Sequence, residues 1–318
     1  GTCAPALTNL IVKLALNQLP TNADAGIDQT GVTTCGLTII TLAANTPVFG
    51  TGSWSIISGV GGNVTAPNSP TSTFSGTAGT NYVLRWTISN APCAASTDDV
   101  TITFNENPTS ANAGLDQTGA LMCGLTSTSL TANTPAIGTG TWSIIGGAGG
   151  NVTNPNSPTS VFTGTAGATY VLRWTVSNPP CADSFDDVNI TFHQNPTIAN
   201  AGTDQTGATT CGLTTVTLAA NNPVVGIGAW SIISGAGGSF TDATLNNTTF
   251  NGIAGTAYVL RWTISNAPCV ASTDNVDITF NQAPPTAHAG PVQTATAPCV
   301  LPHVTIAAHN PTVGSETW

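Results

Sequence analysis

Apolar and polar residues alternate with a period of two along short stretches of this chain, and no stretch sustains the 3.6-residue period of a helix. In "NYVLRWTISN", residues 81–90, Tyr82, Leu84, Trp86 and Ile88 fall on one side; Val83, Arg85, Thr87 and Ser89 fall on the other. The first set predicts a core-facing row. "DDVTITF" at 98–104 turns Val100, Ile102 and Phe104 inward and Asp99, Thr101 and Thr103 outward. "TIITLAA" (38–44), "SWSIIS" (53–58) and "STFSG" (72–76) are also rich in β-branched and aromatic residues, with Gly, Pro, Asn and Ser clusters between them. "AGIDQTGV" (25–32) can supply a first strand and "GNVTA" (62–66) a short edge strand. About seven strands so spaced predict an all-β fold, an antiparallel sandwich of immunoglobulin type.

The pattern then repeats. Trp54, Trp142, Trp230 and Trp318 stand 88 residues apart, as do Cys35, Cys123, Cys211 and Cys299 in one series and Cys93, Cys181 and Cys269 in another. A unit of that length can hold its own core, so the period reads as tandem domains rather than as turns of a solenoid. Full units are expected over 22–109, 110–197 and 198–285. The end of a preceding unit, with Cys3, is expected at 1–21 and the first part of a fourth at 286–318, so the 318 residues read as a window on a longer head-to-tail rod. Each unit is expected to bury two indoles: Trp54 with Trp86, Trp142 with Trp174, and Trp230 with Trp262. Tyr82 opens the penultimate strand, where a sandwich often keeps a tyrosine whose hydroxyl pins the preceding corner; an ordinary core aromatic is the alternative.

Charge narrows the partners. Charged residues are 6% of the chain, against about 25% in ordinary soluble proteins, and Thr, Ser, Asn and Gly take their place, as in extracellular β proteins. The net charge of −10 disfavours nucleic acid and anionic membrane surfaces, which bind through Lys and Arg. Apolar runs such as "LIVKLAL" fall short of the roughly 20 residues of a spanning helix, so no membrane insertion is expected. Of four basic residues, Lys13, Arg85, Arg173 and Arg261, three precede a tryptophan. Those three lie on the outward face beside a strand that opens with aspartates. The expected cross-strand pairs are Arg85–Asp99, Arg173–Asp187 and Arg261–Asp274, the last because Asn275 replaces the second aspartate of its unit. Such a pair would serve hairpin register; an arginine reading a carboxylate ligand is the functional rival.

The cysteines point to an oxidising compartment. Bonding within a unit, Cys35 to Cys93, conflicts with strand direction. Cys35 precedes the second strand and Cys93 follows the sixth; in a seven-strand sandwich these run the same way, so the two residues lie at opposite poles. In a head-to-tail array the poles of successive units meet. Bonds across the boundary, Cys35–Cys181 and Cys123–Cys269, are therefore expected, with Cys3, Cys93, Cys211 and Cys299 paired outside the window or free. Intradomain bonds and free thiols stay as alternatives.

Candidate chemistry is sparse. His193, His288, His303 and His309 occupy unrelated repeat positions without a catalytic or zinc motif. Asp98 and Asp99, as neighbours on a strand, point to opposite faces and cannot act as a carboxylate pair. Asp28, Asp116 and Asp204 recur in "AGIDQT", "AGLDQT" and "AGTDQT" and invite calcium, but one aspartate per site is poor for a cation that takes six to eight oxygens. The fourth unit has Pro291-Val292-Gln293 there. No catalytic activity and no cofactor are expected, with calcium at those aspartates as the alternative.

"ANAGLDQT", "GTGTWSIIGG", "NPNSPTSVFTG" and "YVLRWTVSNPPCADSFDDVNITF" together resemble the PKD-like, immunoglobulin-like repeats of giant gliding-motility-type surface adhesins of Bacteroidetes. The resemblance covers the three full units and both partial ones; the third departs with "SFTDATLNNTTF". It implies export by the type IX secretion system and service as a filament on the outer cell surface. Its partners would be neighbouring repeats, a surface polysaccharide or substratum, and laterally associated chains. The rival function is a spacer or carbohydrate-binding accessory of a large secreted enzyme.

Overall fold

A computed structural model describes residues 17–290, 292, 308 and 311–315. Its elements recur three times in one order. The first set is β1 (Ile39–Thr41), β2 (Thr51–Ser58), β3 (Asn63–Val64), β4 (Thr73–Ser75), β5 (Asn81–Ser89) and β6 (Ser96–Thr103). The second is β7 (Ser127–Ser129), β8 (Thr139–Gly146), β9 (Asn151–Val152), β10 (Val161–Thr163), β11 (Thr169–Ser177) and β12 (Ser184–Thr191). The third is β13 (Thr215–Thr217), β14 (Ile227–Ser234), β15 (Ser239–Phe240), β16 (Thr249–Asn251), β17 (Ala257–Ser265) and β18 (Ser272–Thr279). Each set makes two three-stranded sheets, in the first repeat β1-β4-β3 and β2-β5-β6. The pairing is antiparallel. The fold is all-β, a tandem of immunoglobulin-like antiparallel sandwiches.

The chain divides into two compact units. One is the chain up to Asp116 with Thr128–Thr163 and Tyr170–Asn189; the other is Gln117–Ser127, Gly164–Thr169 and the chain from Ile190 onward.

The two-residue period explains the cores. Along β5 the odd-side residues Val83, Arg85 and Thr87 are half-buried, while Tyr82, Leu84, Trp86 and Ile88 are fully buried. They join Val100, Ile102, Phe104, Trp54 and Phe74 in one apolar cluster that runs from Ala25 to Phe104. A separate cluster runs from Ala199 to Phe280. Trp54 sits directly across from Trp86, ring centroids 5.1 Å apart, and Trp142–Trp174 and Trp230–Trp262 repeat the arrangement. All six indole N–H groups are buried without a hydrogen-bond partner, so these rings contribute through area and packing alone.

That packing dictates a glycine in β2, β8 and β14. A Cβ at Gly52 would stand 2.0 Å from Trp86 Cζ2, and Gly140 and Gly228 face Trp174 and Trp262 in the same way. The indole fills the place a side chain would take. The Tyr82 hydroxyl donates to the Val60 carbonyl at 2.8 Å and accepts the Thr77 N–H at 2.9 Å. It pins two loops at a corner.

The expected first strand, 25–32, is reduced to a single parallel bridge between Gln29 and Ile102. Gly26 and Gly31 have φ of 85° and 84°, in the left-handed region that extended strands do not enter. From Gly31 to Thr34 the backbone closes a short 3-10 turn instead. The expected edge strand at 62–66 is two residues long.

Candidate functional site

The residues that do more than fill a core lie where one repeat meets the next. Cys35 follows the 3-10 turn Gly31–Thr34, and the turn is clamped to the end of its own repeat. Gly36 N–H donates to the Asn105 carbonyl at 2.8 Å, and Asn105 Nδ2 donates to the Gly31 carbonyl and Thr34 Oγ1 at 2.9 and 3.0 Å. Cys123 follows the equivalent turn Ala120–Met122, clamped through backbone hydrogen bonds to His193. Cys211 follows Gly207–Thr210, where Asn281 repeats the role of Asn105. Sequence supplies the reason: a positive-φ glycine, at Gly36, Gly124 and Gly212, directly follows each cysteine.

The second series of cysteines stands in the tight turn between the last two strands of each repeat. There Cys93, Cys181 and Cys269 donate their N–H to the carbonyls of Asn90, Asn178 and Asn266 at 3.0–3.1 Å. The peptide before Pro92, Pro180 and Pro268 is cis.

Two disulfides join the series. Cys35 and Cys181 are bonded with Cα atoms 5.6 Å apart, and Cys123 and Cys269 likewise. Each bond runs from one repeat to the next, over a sequence separation of 146. Cys35–Cys181 lies in the first compact unit and Cys123–Cys269 in the second. Cys93 and Cys211 are unpaired among the described residues; Cys3 and Cys299 lie outside the described residues.

A second tie was not read from the sequence. Asn178 Nδ2 donates to the Glu106 carbonyl at 2.8 Å, so the turn of the second repeat grips the linker arriving from the first. Asn266 holds the Gln194 carbonyl at 2.7 Å and Asn90 holds that of Gln18 at 2.8 Å. The signal was present: an asparagine closes "YVLRWTISN", "YVLRWTVSN" and "YVLRWTISN" at the same place. Sequence alone could not say what it faces.

The arginines behave differently from copy to copy. Arg85 reaches Asp99 with two hydrogen bonds, Nε–Oδ1 2.7 Å and Nη2–Oδ2 2.8 Å. Arg173 does the same with Asp187, and its guanidinium lies 4.0 Å from the ring centre of Phe185. These hydrogen bonds hold Asp99 and Asp187 below the ordinary carboxylate range, against an upward push from burial. The Arg261–Asp274 pair is corrected. Register places Arg261 opposite Asn275, whose Oδ1 accepts Nε–H at 2.9 Å. Asp274 lies one residue off, across from Trp262, and its Oδ2 accepts the Ala201 N–H at 2.7 Å. Asp98 and Asp186 do the same for Ala25 and Ala113. Adjacent strand residues face opposite sides, so Asp274 cannot stand in for the residue after it.

Asp28, Asp116 and Asp204 are structural acceptors. Their Oδ1 atoms take the N–H of Thr101, Asn189 and Asp277 at 2.8–2.9 Å and sew the N-terminal segment to the last strand. Among the described residues no three His, Cys, Asp or Glu side chains converge as a metal would require. His193 accepts a long hydrogen bond from Gly119, and His288 accepts one from Gly290. His303 and His309 lie outside the described residues. A shallow groove lined by Asn112, Gly114, Leu115, Thr131, Ala132 and Asn133 holds no charged side chain. No helix among the described residues is long and apolar enough to cross a membrane.

No protein-family model matches the chain, and no curated protein matches it. Solved multidomain structures do. A three-domain stretch of titin, I67–I69 in an E-to-A variant, is 11% identical over 83% of this chain and 99% of its own, with a TM-score of 0.40. Mouse cadherin-23 domains EC22–24 are 12% identical over 84% of this chain and 100% of theirs, at 0.33. Protocadherin gamma B2 domains 3–6 are 10% identical over 83% and 78%, at 0.29.

Proposed function

We propose that this chain is a non-catalytic structural stalk, a segment of a large extracellular adhesin at the outer surface of a bacterium, serving attachment or gliding. The observation that carries the reading is the pair of disulfides, each tying one near-copy to the next. A cystine spent between repeats adds nothing to a catalytic site and constrains a joint. Near-identical copies also suit a spacer, because duplication adds length and weak contacts add by multivalency. The folding units of this reading are 22–109, 110–197 and 198–285, and Cys93 and Cys211 take cysteines of further repeats as partners. Export by type IX secretion rests on the sequence resemblance alone. The partners are neighbouring repeats, then a substratum or surface polysaccharide, with lateral association of chains. Immunogold electron microscopy of cells bearing the parent protein tests the reading: the label is expected along long thin surface fibres. A compact labelled globule with a short tail, or hydrolytic turnover by this stretch, would replace the stalk with an enzyme accessory.

A further inference from the structure

The two disulfide loops are interlaced. Along the chain the order is Cys35, Cys123, Cys181, Cys269, and the bonds join first to third and second to fourth. Interlacing follows from two lengths: each bond spans 146 residues, longer than the 88 that separate successive copies. The loops therefore share 123–181.

We infer that these bonds form a covalent bypass that carries tension past the linkers and caps the extension of the chain. Four covalent routes lead from Cys35 to Cys269. The main chain alone takes 234 residues, from position 35 to position 269. A single bridge shortens the route to 88, either from 35 to 123 or from 181 to 269. Both bridges shorten it further: from Cys35 across to Cys181, back along the 58 residues to Cys123, and across to Cys269. A stretched network draws its shortest route taut. The load then falls on 123–181, which holds β7 through β11 and is pulled against the direction of the chain. The two 88-residue arms stay slack, and with them the linkers that follow β6 and β12. The Asn178–Glu106 hydrogen bond ties the loaded segment to a slack arm, so on that arm it need only orient the joint. A repeat that unfolds under load thus yields a fraction of its length, and the joints do not open.

The inference rests on the bond connectivity and stands whether or not the chain serves adhesion. It is tested by single-molecule stretching of the chain held at both ends, pulled until every repeat has unfolded, without and then with a thiol reductant. At roughly 3.4 Å per extended residue, the oxidised Cys35–Cys269 stretch is expected to stop near ~200 Å. Reduction is expected to release it to ~800 Å. Cys35→Ser and Cys123→Ser are each expected to stop near ~300 Å, the same value whichever bond is removed. An oxidised limit near ~400 Å, the value for bonds closed within repeats from Cys35 to Cys93 and Cys123 to Cys181, overturns the inference. So does an oxidised chain that extends as far as the reduced one. Because the limit is read on unfolded chain, a variant that folds poorly still reports it.

Discussion

The Tyr258 hydroxyl accepts the Ile253 N–H and donates to the Ala236 carbonyl, both at 2.9 Å, as Tyr82 does with Thr77 and Val60. Removing that oxygen leaves a donor and an acceptor without their partner beside a ring that is 1% exposed. Tyr258→Phe is therefore expected to cost about 1–3 kcal/mol, read as a lower urea midpoint at unchanged slope. Gly140 is a second single-residue constraint, and a steric one. Its added methyl would stand 2.0 Å from Trp174 Cζ2, with buried aromatics leaving no room to retreat. Gly140→Ala is expected to destabilise by about 1–3 kcal/mol through overpacking and to alter the near-ultraviolet dichroism of the Trp142–Trp174 pair. The tyrosine corner was legible in the sequence as one of two readings, because only its position on the strand could be counted. The glycine was not legible, since its reason is a ring on the neighbouring strand.

At the scale of the element, the β5–β6 hairpin shows how alternation sets both core and charge. Asp99 is drawn low by its hydrogen bonds to Arg85, opposed by burial. A carboxyl whose folded pKa is depressed binds protons more readily in the unfolded chain. Its stabilisation is complete above the unfolded value near 4 and is lost as the pH falls through the lower folded value. Arg85→Met and Arg173→Met are expected to flatten the acid limb of the stability profile below about pH 4 at low salt. The effect is small, because these pairs are partly open to solvent, and it shrinks as salt rises. The third repeat has Asn275 opposite Arg261, so Asn275→Asp is expected to add an acid-labile component there. Period two assigned the faces of β5 and β6 from letters alone. Carried across the hairpin, it pairs Arg85 with Asp99 and Arg173 with Asp187 and puts Asn275 opposite Arg261; it could not supply a charge partner at Asp274, which faces the other side. Nor could it reveal that Gly26 and Gly31 would adopt positive φ and cut the first strand to one bridge.

At the scale of the whole molecule, core and cystine are separate devices. The apolar clusters of the first and third repeats, Ala25–Phe104 and Ala199–Phe280, close without a disulfide. Reduction is therefore expected to leave tryptophan fluorescence and β dichroism intact at room temperature, while the protection of the 105–110 linker against proteolysis falls. Collapse of the β signal on reduction would mean that the cores depend on the joints. The sequence by itself determined the all-β class, the 88-residue period, the inward rows of the last two strands of the repeat and the absence of a catalytic motif. Those are local properties, written in alternation, spacing and residue type. Tertiary structure alone decided which carbonyl each linker offers to Asn90, Asn178 and Asn266, and why a glycine must lie against Trp86, Trp174 and Trp262. These are relations between segments distant in sequence, set by register and by the close approach of two backbones, and a one-dimensional pattern holds no coordinate for either.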